Sequence, residues 1–354
     1  MAAFTELVVA SLQPVLERLF VEPVVQRLQQ ISDGIENSNY LVVVSAQGLR
    51  GRIISGLPDL AGLQCSAGPV PLIVTIVEML DRSQLDPIVK HVALMANAGL
   101  PVPGMFADEL GESVFTHAGK PLMVVPMLEG RVLQADEVQP GHCRAAGSFL
   151  GALHSLTLDL GEQDRVERGF SWTLQALDRC QAWVEPEHGV ELKRIHARLS
   201  AVVSDLEALP MSWTHGDLFI DNALFRGDEQ ATSAQPPVQL SGIIDFYRSG
   251  PDSAALDLAI AANDWCWDGT QLLPDRIAAL FDGYESHRSL TTEEKALWPE
   301  LLGFAAARFY AARMLSLHTA SYQRQAADAD PSAASVLKDP SAMLLRMTTA
   351  LFPD

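Results

Sequence analysis

Thr214-His215-Gly216-Asp217-Leu218-Phe219-Ile220-Asp221-Asn222, followed beyond a Gly-, Asp-, Gln- and Pro-rich loop by Ile243-Ile244-Asp245-Phe246-Tyr247, is the stretch on which the fold turns. It holds the parts that phosphoryl transfer to an alcohol requires: a group that orients the acceptor hydroxyl, and oxygen ligands for a cation that holds the phosphates. Asp217 can accept or orient the hydroxyl proton, Asn222 five residues later can offer an amide oxygen, and Asp245 can offer a carboxylate. Such oxygen donors suit a hard ion like Mg²⁺, which keeps several waters. A polar loop ahead of a hairpin also uses Asp and Asn for turns alone. Two separate segments in the right order favour the chemical reading.

The Asp217 to Asn222 spacing matches the kinase catalytic loop H-R-D-x-x-x-x-N with Gly216 in place of Arg, and Asp245-Phe246 stands where D-F-G would stand. Working outward, Asn222 to Phe225 and Val238 to Ile244 read as a hairpin projected from a helical body. Helical periodicity marks Ala145 to Leu156, Trp172 to Val184, Leu192 to Leu209, Ala254 to Cys266 and Trp298 to Ser316, with a polar stretch from Gln323 to Ser335 before a last short helix. Upstream, Val24 to Ile31, Tyr40 to Val44, Leu72 to Val77, Ser113 to Thr116 and Leu122 to Pro126 read as strands, with one helix from Leu85 to Ala98 that stops at Gly99. An amphipathic helix carrying Val8, Leu12, Leu16 and Leu19, disturbed at Pro14, precedes them.

Composition narrows the function classes. The 354 residues, 48% hydrophobic, suffice for two lobes, and a formal net charge of -19 repels polyanions, so nucleic acid is not an expected partner. Cys65, Cys143, Cys180 and Cys266 form no Cys-x-x-Cys pair, and no apolar stretch reaches the ~20 residues of a membrane span. A cytoplasmic protein acting on a small molecule, monomeric or homodimeric, is the expectation.

Gly34-Ile35-Glu36-Asn37-Ser38-Asn39-Tyr40, Val74-Thr75-Ile76-Val77-Glu78, Gly99-Leu100-Pro101-Val102-Pro103, the catalytic loop, Ile244-Asp245-Phe246-Tyr247 and Asp257-Leu258-Ala259-Ile260 together resemble the homoserine kinases of the aminoglycoside-phosphotransferase-like type. The resemblance is scattered from about Ile31 to Pro340. The catalytic loop alone admits choline, aminoglycoside and methylthioribose kinases as well; the Gly-Ile-Glu-Asn-Ser-Asn-Tyr stretch discriminates among them.

The resemblance implies an α+β, two-lobed protein-kinase-like fold: a small antiparallel sheet with one main helix over residues 1–126, and a mostly helical lobe carrying the catalytic hairpin over residues 127–354. It implies ATP and Mg²⁺ as cofactors, with Asp217 catalytic and Asn222 and Asp245 on the metal. It implies that the hairpin tip, with Gly34, Asn37, Ser38 and Asn39, covers the nucleotide phosphates, and that Val125 and Met127 flank the hinge facing adenine. An ordinary turn and a proline-bent strand end are the plain alternatives. His215 and Asp257 become structural supports of the catalytic loop; a helix N-terminal acid explains Asp257 equally well. Tyr247, Asp264, Arg308 and Arg313 are the candidates for holding the ammonium and carboxylate of homoserine.

Thr75 stands where most kinase-like folds place a phosphate-binding lysine, as is usual in the homoserine kinase type. Arg52, Arg82 and Lys90 are possible substitutes, and the segment from Gly48 to Pro69 is longer than a simple strand connection. His154 has no second ligand at metal spacing and reads as a core histidine, and His142-Cys143 has no assigned role. A nucleotide-binding protein without turnover is the reading from a different class.

Overall fold

The computed structural model describes residues 5–31, 37–54, 68–157, 168–227, 238–318 and 339–353. Gly34, most of the Gly48 to Pro69 segment and the polar stretch from Gln323 to Ser335 lie outside them. The chain forms two compact units: one of Met1–Arg131 with Leu224–Arg226 and Ser241–Tyr247, the other of the remaining residues. The catalytic hairpin, expected within the C-terminal lobe, thus contributes to both. Arg131 and Phe225 exchange backbone hydrogen bonds of 3.0 and 2.9 Å, and Ser241 Oγ donates to the Glu129 carbonyl, which ties hairpin residues to the first unit.

The first unit contains, in order, α1 (Val9–Leu19), β1 (Phe20–Val21), β2 (Val24–Ile31), β3 (Ser38–Ser45), β4 (Gly48–Leu49), β5 (Arg52–Ile54), β6 (Val70–Ile76), α2 (Arg82–Asn97), β7 (Met105–Ala107), β8 (Val114–His117) and β9 (Lys120–Pro126). An antiparallel sheet runs β2-β3-β6-β9-β8. Alternation along the strands sends Tyr40, Val42, Val44, Leu72, Val74, Ile76, Leu122 and Val124 into one apolar core, which α1 covers with Leu12, Val15, Leu16 and Leu19. The burial of these side chains carries α1 through Pro14, which the sequence led us to treat as a disturbance. The opposite face is also apolar but only half buried, at Leu41, Val43, Ile73 and Val125.

The second unit contains α3 (Pro140–Ser155), α4 (Phe170–Cys180), α5 (Pro186–Glu207), β10 (Met211–Thr214), β11 (Ala223–Arg226) and β12 (Gln239–Ile243), the last two shared with the first unit. It continues with β13 (Gly250–Ser253), α6 (Ala254–Trp265), α7 (Pro274–Glu285), α8 (Thr292–Ala296), α9 (Trp298–His318) and α10 (Ser341–Leu351). Helix α6 is buried almost throughout, and α9 packs on α4, α6 and α10.

Among the described residues, the sequence reading missed β1, β4, β5, β7, β10, β13, α7 and α8. Strand β13 pairs with β10 through Gly250-Pro251-Asp252-Ser253, whose residue types have little β-propensity. Helix α7 meets α3 by backbone approach rather than through an apolar stripe. A Cβ on Gly147 would lie 2.0 Å from the Leu280 carbonyl oxygen, and one on Gly283 2.0 Å from that of Arg144. A contact made by missing side chains leaves no hydrophobic period to find.

Candidate active site

The catalytic loop is held from one side by helix α6. Its Asp257, two turns before Asp264, accepts the backbone N–H groups of His215 (2.7 Å) and Gly216 (2.9 Å). Asp264 Oδ2 accepts the N–H of Ile220 (2.9 Å), and Trp265 Nε1 donates to the Leu218 carbonyl (3.0 Å). Residues seven apart share a helix face, so one rigid element reads the backbone of the loop at several points.

The loop also closes on itself. Asp217 N–H donates to His215 Nδ1 (3.2 Å), and the Asp217 carbonyl receives both Phe219 N–H (2.8 Å) and Asn222 Nδ2 (2.8 Å). The last bond fixes the rotation of the Asn222 amide: with its NH₂ committed, the oxygen is the atom turned elsewhere. That donor chemistry fits a magnesium ligand.

Gly216 sits at φ +78°, and a Cβ there would come 2.5 Å from the Arg248 carbonyl oxygen. This is why the loop carries glycine where protein kinases have arginine: both the left-handed backbone and the tight approach exclude a side chain. Gly216→Ala is expected to lose ~1–2 kcal/mol for the conformation alone, more for the displaced carbonyl, and at least tenfold in kcat. Thermal unfolding and steady-state kinetics on the same preparation check both numbers.

Behind the loop, Asp257 belongs to a buried chain of polar groups. His154 Nε2–H donates to Asp257 Oδ2 (3.1 Å), His154 Nδ1 lies 2.9 Å from the Tyr284 hydroxyl, and Arg288 Nη1 donates to that hydroxyl (3.0 Å) while pairing with buried Glu294 at 2.8 Å. Burial by itself would raise the Asp257 carboxyl, but the His154 hydrogen bond, the charges of His154 and His215 and the Gly216 amide hold it below the usual carboxylate range. His154, which the sequence offered only as a core histidine, braces the brace.

In the first unit, Asn39, Thr75 and Tyr247 form a polar chain at one end of the half-buried sheet face. Thr75 Oγ1 donates to Asn39 Oδ1 (2.7 Å), and the Tyr247 phenol shares a hydrogen bond with Thr75. Burial first, and then the charge of Asp245, push the Tyr247 hydroxyl well up. Asp245 is exposed and takes φ +66°, a left-handed conformation that Asp tolerates better than most residues. Asn37 Oδ1 accepts the Glu78 N–H (3.1 Å), and Ser38 Oγ donates to Glu78, whose carboxylate pairs with Lys120. Of the proposed lysine substitutes, Arg82 is tied to Glu112 (2.9 Å), and Arg52 and Lys90 are exposed.

At the residues expected to flank the hinge, the backbone is already partly committed. Met127 N–H is spent on the Pro71 carbonyl (3.1 Å), and Val125 is paired with Ile73 inside the sheet. Pro71 has no N–H to return, so the Met127 carbonyl receives nothing from it. The backbone N–H of Met127 is not available as a donor.

Residues 27–290 match the sequence model of the phosphotransferase enzyme family. The chain belongs to that family. It is therefore a small-molecule kinase, drawing its phosphoryl group from ATP. Among curated relatives, a homoserine kinase of Pseudomonas aeruginosa is 32% identical over 290 residues, covering 81% of this chain and 80% of its own. One of Methylobacillus flagellatus is 30% identical over 297 residues, covering 82% and 80%. Among solved structures, an amicoumacin kinase in complex with AMP-PNP, Ca²⁺ and Ami superposes with a TM-score of 0.64 at 14% identity, covering 96% of this chain and 95% of that one. A spectinomycin phosphotransferase in complex with ADP and spectinomycin gives 0.63 at 11% identity, covering 98% and 100%. The kinase fold, α+β with an antiparallel sheet in the first unit and helices in the second, is thus shared with both. No helix among the described residues is long and apolar enough to cross a membrane.

The kinase's four substrate candidates separate. Arg308 is 4% exposed and bound to Asp252 at 2.7 Å, a buried tie between α9 and β13. Tyr247 belongs to the Thr75 chain, and Asp264 carries the loop. Arg313 is half buried and donates Nη1 to the Asp339 carbonyl (2.9 Å), and it also feels the charge of Asp217.

Proposed function

We propose that the kinase transfers the γ-phosphoryl group of Mg-ATP to the hydroxyl of L-homoserine, a step of threonine biosynthesis carried out in the cytoplasm. The observation that carries this reading is the likeness to homoserine kinases over four fifths of this chain and of theirs. The glycine-containing catalytic loop, held by α6, supports the chemistry. Asp217 orients the hydroxyl and takes its proton as the bond to phosphorus forms. Asn222 and Asp245 are the oxygen ligands for Mg²⁺, which when bound screens the phosphate charge. Asn37, Ser38 and Asn39 contribute to phosphate binding alongside Gly34, which lies outside the described residues. The half-buried apolar face at Leu41, Val43, Ile73 and Val125 receives the adenine, whose exocyclic amine donates to the Met127 carbonyl. His215 and Asp257 support the loop. Arg308 is better placed as such a support than as a substrate contact, whereas Tyr247 and Asp264 stay near the acceptor.

The test is turnover of purified protein with Mg-ATP and, separately, L-homoserine, choline, methylthioribose and an aminoglycoside. Homoserine is expected to give the highest kcat/KM by at least tenfold. A higher value with any of the others assigns the kinase a different alcohol.

A further inference from the structure

One of two arginines on neighbouring helices of the second unit has more N–H donors than its surroundings satisfy. Arg313 lies on α9 and Arg346 on α10, which packs against it. The Arg346 side chain is only 11% exposed. Its Nη1 has Met343 Sδ at 3.8 Å and Asp264 Oδ1 at 3.9 Å, and its Nε is shielded from solvent without an acceptor among the described residues. The guanidinium also lies 5.4 Å from the Trp267 ring centroid. A guanidinium offers five N–H donors, and here a thioether and one distant carboxylate are what it meets. A donor left unsatisfied in a shielded position costs free energy that an incoming acceptor recovers.

Arg313 stands within electrostatic range of Arg346. Burial and the neighbouring charge of Arg346 both weaken its hold on the proton, while Asp264, Asp217 and Asp339 oppose them. Burial likewise lowers Arg346. The unmet donors of Arg346, beside the Asp264 that holds the Ile220 N–H, are what an anionic group on an acceptor would satisfy. Its planar fork suits a carboxylate in particular.

We propose that Arg346, together with Arg313, binds the α-carboxylate of the acceptor and so makes the enzyme select hydroxylated amino acids over amino alcohols. This rests on the proposed action on homoserine and adds to it a residue of the last helix that the sequence reading did not single out. Asp264, bonded to the Ile220 N–H and facing Arg346, connects the carboxylate site to the catalytic loop.

The experiment compares L-homoserine with 3-aminopropan-1-ol, the same chain without the carboxylate, as acceptors or, where turnover is slow, as competing ligands. In Arg346→Met the KM for homoserine is expected to rise about 10- to 100-fold, the loss of one charge-assisted fork. The constants for 3-aminopropan-1-ol and the KM for ATP stay unchanged, and the melting temperature stays level or rises because an unsatisfied cation has gone. Arg346→Lys, which keeps the charge but not the fork, falls between. An unaltered KM for homoserine in both variants overturns the assignment, as does an equal loss on both acceptors with a lowered melting temperature, which marks a packing role. These outcomes leave the proposed function standing. Wild-type enzyme that prefers 3-aminopropan-1-ol removes the proposed substrate, and this inference with it.

Discussion

Asp217→Asn is expected to lower kcat by 10²-fold or more while leaving the KM for ATP within a few-fold of wild type. A carboxylate that takes a proton in the transition state contributes factors of this size, and an amide of the same shape cannot take one. The substitution is clean because the loop is held through the backbone N–H and C=O of Asp217, bonded to His215, Phe219 and Asn222. Melting temperature should therefore move little. Single-turnover measurement of ATP consumption with saturating acceptor gives the chemical step directly. A variant that turns over at the wild-type rate takes the proton-accepting role away from Asp217.

Asp257→Ala should produce the largest stability loss of any single change discussed, about 3–5 kcal/mol, since each buried donor left without its acceptor costs about 1–3 kcal/mol. It strips the acceptor from the N–H groups of His215 and Gly216 and from His154 Nε2, all buried. Chemical denaturation measures it. Asp257→Asn keeps one carbonyl acceptor and should lose roughly half as much. The two variants also report on pH. Because the folded protein holds the Asp257 carboxyl below its ordinary value, its stabilisation is complete above the unfolded pKa of ~3.9. It is lost as acid carries the pH down through the folded value. The stability gap between wild type and Asp257→Asn should stay constant from about pH 5 to 8 and close below about pH 4. A constant gap at all pH values means that the carboxylate charge contributes nothing.

The residues proposed to react stand out in the sequence because chemistry fixes both their type and their spacing. An aspartate for the proton, an amide and a carboxylate for a hard cation, and a glycine between histidine and aspartate leave few other readings. The strands whose alternating faces are half buried, such as β3, were legible for a similar reason: burial imposes a period. The supporting residues were not. His154, Tyr284, Arg288 and Glu294 reach Asp257 from distant points of the chain, and each alone has an ordinary surface or core explanation. Arg308 reads in sequence as a substrate cation, and only the fold brings Asp252 beside it. Arg346 carried no spacing signal, since its neighbours Asp264, Trp267 and Arg313 come from other elements.

The sequence by itself determined the order of chemical parts along the chain and the class of reaction that they can serve, because residue identity and local period are properties of short segments. Tertiary structure decided which of the polar groups hold the loop and which, such as Arg346 Nε, keep a donor without an acceptor among the described residues. It also decided that the Met127 N–H is spent on the Pro71 carbonyl. Those outcomes depend on which distant groups arrive within about 3 Å of each other, where hydrogen bonds form, and no local pattern records such an encounter.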